Sequence, residues 1–151
     1  MPSQPDGGTR ADTEDAARWR EERRAAADHH AQALARRQAA EAARAHEMLR
    51  EFVGRALAQG PAPEPLVARG YDGRHAYRTP LRGWYLRQDR NVAVDTDGEF
   101  YVLRAPGGLR AMVRGVRPQP SDPPLVIGAG GKDGESLDLS VAITRVLARK
   151  D

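Results

Sequence analysis

RGWYLRQDRNVAVDTDGEFYVLR, residues 82–104, alternates apolar and polar side chains on both sides of an Asp-Gly pair and carries arginine at either end. A two-residue period sends successive side chains to opposite faces of a strand. Trp84 and Leu86 therefore face one way and Tyr85 and Arg87 the other, while Val92 and Val94 continue one face in the next strand. Phe100 and Val102 then oppose Tyr101 and Leu103, and Leu109, Ala111 and Val113 oppose Arg110, Met112 and Arg114, which predicts a further strand. Asp89-Arg90-Asn91, Thr96-Asp97-Gly98 and Pro106-Gly107-Gly108 supply turns between them, so the expected topology is an antiparallel meander.

Upstream, RGYDGRHAYRTP (69–80) holds another turn at Asp72-Gly73, and PAPEPLVA (61–68) reads as a stiff linker, because each residue before a proline is pushed toward extended geometry. Before it, residues 16–59 contain no proline and one glycine, Gly54, and are rich in Ala, Arg, Glu, Leu and Gln, which predicts a helix over 13–59 capped by Thr13. Its apolar surface is bulky only near the end, where Leu49, Phe52 and Val53 should dock on the compact domain. The earlier part, with Trp19 and Leu34 among alanines, should project, pair with another chain, or turn back near Asp28-His29-His30. Residues 1–12 have nothing to bury and are expected to be disordered.

Downstream, the prolines of PQPSDPP exclude a central strand, Leu125 to Ile127 form a short strand, and the glycine loop GAGGKDGES follows. Leu139, Ala142, Ile143, Val146 and Leu147 then make one apolar stripe, which predicts a closing helix over Leu139 to Arg149. The expected fold is thus α+β: a long N-terminal helix, then a small antiparallel β-meander of about four to five strands with a C-terminal helix packed on it. Its parts are a tail (1–12), the helix (13–59), the linker (60–68) and a compact sheet domain (69–151).

Composition narrows the chemistry. Of 151 residues 40% are apolar, but alanine supplies much of that and only two Phe, two Trp and four Tyr are present, so the core is small. Cysteine is absent, which removes disulfides, thiolate catalysis and thiolate metal sites. No run approaches the roughly 18 apolar residues of a membrane span and no signal peptide opens the chain, so a cytoplasmic protein with no membrane association is expected. The net charge is +3, and only Lys132 and Lys150 among 24 basic residues are lysines. GC-rich coding produces Ala, Gly, Pro and Arg together, so arginine enrichment alone predicts no nucleic acid.

Motifs for chemistry are weak. Gly128 to Gly134 lacks the Ser or Thr that must follow the lysine of a Walker loop, and Asp133 in that place would repel phosphate. No metal site is expected: His29 and His30 are adjacent and point about 100° apart on a helix, and His46 lies more than four turns away. Asp72 and His75 have the spacing of a base and its orienting partner, and Asp95, Asp97 and Glu99 gather at a hairpin end, yet polar turns produce both patterns without function. No catalytic residue and no cofactor is therefore expected.

The charge map says more. Six arginines against two aspartates occupy 69–90, and four arginines with no acid occupy 104–117. Arg74, Arg78, Arg87, Arg110 and Arg114, with Tyr85 and Tyr101, form the expected binding face; Leu34, Leu49, Phe52 and Val53 form the expected helix interface. Tyrosine and arginine together serve protein interfaces and single-stranded nucleic acid grooves alike. The expected function is a non-enzymatic adaptor or regulatory protein that binds a protein partner, with a homodimer through the N-terminal helix as one form. The alternatives are RNA or single-stranded DNA binding, and a small hydrolase or nuclease. No motif is diagnostic of a family.

Overall fold

The computed structural model describes residues 7–128 and 135–149. The chain divides into two units, Met1–Ala40 and Glu41–Asp151. The first is helix throughout its described length, and no side chain between residues 8 and 40 is buried. It belongs to α1 (Gly7–Gln59), which is longer at its start than expected. Residues 7–12 are helical because extending an existing helix gains a hydrogen bond for each residue fixed; 1–6 lie outside the described residues. Thr13 does not cap the helix: its hydroxyl donates to the Thr9 carbonyl at 2.7 Å, inside it. No hairpin forms at Asp28-His29-His30, where α1 runs unbroken.

In the second unit β1 (Glu64–Gly70), β2 (Ala76–Tyr85), β3 (Val92–Asp95) and β4 (Phe100–Val102) form the antiparallel meander, and β5 (Arg104–Ala105) pairs parallel to β1, giving the order β4-β3-β2-β1-β5. A two-stranded ribbon, β6 (Val126–Ile127) with β7 (Leu137–Asp138), leads into α3 (Leu139–Leu147). This is the expected α+β architecture. One apolar cluster joins Leu49, Phe52 and Val53 of α1 to Trp84, Val94 and Phe100 of the sheet and to Leu139, Ile143 and Val146 of α3. The end of α1 and all of α3 thus cover the Trp84 face.

Two elements differ from the sequence reading. Residues 64–68 of the supposed linker belong to β1, although Pro65 has no N–H for a ladder. The register shifts between Pro65 and Val67, and side chains take over the lost pairing: the Thr79 hydroxyl donates to the Leu66 carbonyl at 2.6 Å, and the Tyr85 hydroxyl accepts from the Val67 N–H at 2.9 Å. Residues 109–113 are not a strand. They form α2 (Leu109–Arg114), because Leu, Arg, Ala and Met are strong helix formers and Gly108 and Gly115 permit the turns at each end. Gly115 has φ 76°, and a Cβ there would lie 2.4 Å from the Arg78 carbonyl oxygen.

The sheet is also apolar on its second face. Leu66, Ala68, Tyr85, Ala93, Tyr101, Leu103 and Ala105 are buried together there, with Leu81 and Val116 against them. Tyr85 and Tyr101, expected in solvent, are therefore core residues, each anchored by its hydroxyl. The Tyr101 hydroxyl donates to Asp95 Oδ2 at 3.0 Å, while Asp95 Oδ1 accepts the N–H groups of Asp97 and Glu99, both at 2.9 Å. Burial first, and the Asp95 carboxylate second, push the phenol up from its ordinary value of 10.0 to about 12. A raised folded value means the stabilisation is complete below pH 10 and disappears as pH climbs through the folded value. Unfolding free energy measured by denaturant titration should fall between about pH 10 and about pH 12 in the parent, and fall less steeply in Tyr101→Phe.

Candidate functional site

Surface chemistry concentrates on α2. At 100° per residue, Leu109, Met112 and Val113 share one side of the helix, Arg110 and Arg114 lie on the adjoining side, and Ala111 alone turns toward the body. None of its residues is buried. Leu109 is 82% exposed, Val113 71% and Met112 56%. A six-residue helix that shows solvent its large apolar side chains inverts the usual arrangement, and clustered exposed apolar side chains mark an interaction surface.

Two further features define the surface. Arg110, Arg114 and Arg117 line a groove of about 680 Å³ together with Gly107, Gly108 and Val116. From Leu103 to Ser121 the chain has no acidic residue, and among the described residues none of the three arginines pairs with a carboxylate. Like charges at Arg110 and Arg114, one turn apart, disfavour the helix by themselves. An anionic partner would relieve that repulsion.

Arg78 holds α2 in place. Its Nη2 donates to the Val113 carbonyl at 3.2 Å, and its own carbonyl accepts the Val116 N–H at 2.8 Å, so β2 grips the far end of the helix. Of the residues expected at a binding face, the structure thus brings Arg78, Arg110 and Arg114 together and adds Arg117. It removes Tyr85 and Tyr101 to the core and sends Arg87 elsewhere, where Nε lies 3.4 Å from Asp89 Oδ2 and the guanidinium packs on Gly128. Arg90 lies over the Tyr85 ring, 5.3 Å from its centre. Of the expected helix interface, Leu49, Phe52 and Val53 are buried in the second unit's own core, and only Leu34 is exposed. Leu109, Met112 and Val113 were missed as a surface; LRAMVR between two glycines was the signal.

The hairpin end Arg69–His75 carries a second constellation, that of Asp72 and His75. Asp72 Oδ2 lies 2.5 Å from His75 Nδ1, and its Oδ1 accepts the N–H groups of Arg74 at 2.9 Å and His75 at 3.2 Å. The Arg74 N–H and then the His75 ring hold the Asp72 carboxyl down, from 3.8 to about 2. His75 stacks on Tyr77 with ring centres 6.4 Å apart. Arg74 is exposed on this turn, apart from the α2 groove lining. Among the described residues no serine or threonine hydroxyl is hydrogen-bonded to His75, and the Asp72 carboxylate braces the turn through the two N–H groups it accepts. At the other hairpin end Asp95 is likewise engaged, since both its oxygens accept hydrogen bonds from the chain itself, and Glu99 Oε2 lies 3.7 Å from His46 Nε2.

The glycine loop weighed as an anion site lies, beyond Gly128, outside the described residues as far as residue 134. Among the described residues no helix is long and apolar enough to cross a membrane. No protein-family model, curated protein or solved structure matches the chain.

Proposed function

We propose that the protein is a non-enzymatic adaptor or regulatory protein that captures a protein partner on the α2 surface. The observation that carries this reading is the side-by-side placement of Leu109, Met112 and Val113 with Arg110 and Arg114 on a helix that buries none of its residues. Aliphatic side chains flanked by guanidinium groups suit an amphipathic polypeptide bearing carboxylates: the apolar side chains exclude water while the arginines fix register and partner choice. Single-stranded nucleic acid is held by stacking on flat rings, and the two sheet tyrosines expected to serve, Tyr85 and Tyr101, are buried, which leaves Tyr71 exposed beside Arg104.

The test is selection of short random displayed peptides on the full-length chain. Enriched peptides should combine large apolar residues with Asp or Glu. Their affinity should drop by about tenfold or more in Leu109→Ser/Val113→Ser and in Arg110→Glu/Arg114→Glu, with unchanged thermal unfolding. Absence of enriched peptides, or peptides indifferent to both variants, overturns the reading. Tighter binding of a labelled oligonucleotide, falling steeply from about 50 to about 200 mM salt, moves the assignment to nucleic acid.

A further inference from the structure

The first unit balances seven arginines with seven acids, but one row on it is of the opposite kind to α2. Asp12, Asp15, Trp19 and Glu22 follow one another at steps of three, four and three, which places them in a single row on α1. Three carboxylates thus surround the one large aromatic side chain of this unit, and no arginine stands in the row. Trp19 is 57% exposed even though the Arg23 guanidinium lies 4.5 Å from the ring centre. A helix of this kind shows nothing to bury internally and one aromatic anchor with acids on either side. Tryptophan is among the side chains that most often dominate binding energy.

The α2 surface is its complement. It offers Leu109, Met112 and Val113 to an aromatic ring, and Arg110, Arg114 and Arg117 to carboxylates, with no acid of its own from Leu103 to Ser121. From Asp12 to Glu22 the acidic row spans roughly 15 Å of helix, and α2 is about 9 Å long, so the row can cover the whole of α2 and reach the groove beyond it. We infer that the occupant of the α2 surface is the Asp12–Glu22 row of a second copy of this chain. This rests on the reading of α2 as a protein-binding face and names its partner. Trp19 seats on Leu109, Met112 and Val113, while the carboxylates meet the arginines of the groove. Exchanged reciprocally, the contact closes a two-fold dimer, in which the same two patches meet twice. An external partner then competes with the arm for one surface.

The experiment is sedimentation of the full chain at about 50 and about 200 mM salt, which separates charge-dependent association from the rest. The parent is expected to self-associate and to weaken as salt rises. Trp19→Ala should raise the dissociation constant by about tenfold or more, because an aromatic anchor is lost. Asp12→Arg/Asp15→Arg/Glu22→Arg and Arg110→Glu/Arg114→Glu should each abolish self-association, and an equimolar mixture of the two variants should restore a complex. All three variants alter exposed side chains, and circular dichroism checks that each keeps its fold. A parent that stays monomeric, an α2 variant that still dimerises (which would mean the arms pair with each other), or a mixture that forms no complex overturns the inference. Displayed peptides that still bind α2 in that event leave the proposed function standing, so the two fail separately.

Discussion

Phe52→Ala should destabilise the second unit by about 3–5 kcal/mol, enough to lower its Tm by roughly 10–20 °C. The ring is 1% exposed and meets the Trp84 indole edge-on, with centres 5.3 Å apart and planes at 80°. Removing it forfeits the transfer free energy of the ring and leaves a cavity at the place where α1, the sheet and α3 converge. The Trp84 indole cannot follow, because its Nε1 donates to the Pro61 carbonyl at 2.8 Å. A typical domain has only about 5–15 kcal/mol in total, so this single truncation puts folding at risk. Calorimetry reads the loss directly, and Phe52→Leu, which fills part of the space, should cost much less. A Tm within a few degrees of the parent would show that the end of α1 is not part of this core.

Gly83→Ala is the second large effect, and it works through the backbone. Gly83 lies in β2 opposite Asp95 of β3, and a Cβ there would stand 1.9 Å from the Val94 carbonyl oxygen and 2.7 Å from the Asp95 Cα. No side-chain rotation relieves a collision with main chain, so β2 and β3 must separate. The strands carry Trp84 and Val94 of one core and Tyr85 and Ala93 of the other. Both cores open together, and the expected loss is about 3–5 kcal/mol, at the upper end of overpacking penalties. Gly54→Ala is the control: nothing lies within 4 Å of a Cβ there, and in mid-helix alanine should stabilise by about 0.5–1 kcal/mol. Hydrogen exchange should show the β2–β3 amides of Gly83→Ala exposed while those of Gly54→Ala stay protected.

The elements legible in the sequence were those with strong local signals. The proline-free run ending at Gln59, the Asp72-Gly73 and Asp97-Gly98 turns and the stripe from Leu139 to Val146 each state their structure within a dozen residues. What was hidden depends on partners far along the chain. Alternation from Trp84 to Leu103 implies two faces, but not that both are covered. The cover for the Tyr85 face comes partly from Leu66 and Ala68, in a stretch whose prolines argued for a linker, and from Val116 beyond α2. Six residues such as LRAMVR satisfy a two-residue and a helical period almost equally, so periodicity could not decide between strand and helix there. The same ambiguity divided the candidate site. Arg78, Arg110 and Arg114 were found by charge alone, whereas Leu109, Met112 and Val113 become neighbours only on a helix.

The sheet ends, at its two margins, in β4 and β5, of three and two residues, and Ser121 closes on Phe100 at the β4 side. Margins so brief offer few main-chain groups of their own to a visiting extended segment, although β1 and β2 run on past β5 and β3, which pair with only two and three of their residues. Growth of the ladder into a foreign polypeptide, or into stacked copies heading toward fibrils, is therefore discouraged at both ends. Concentrated solutions of the protein should accordingly resist cross-β stacking at these two margins.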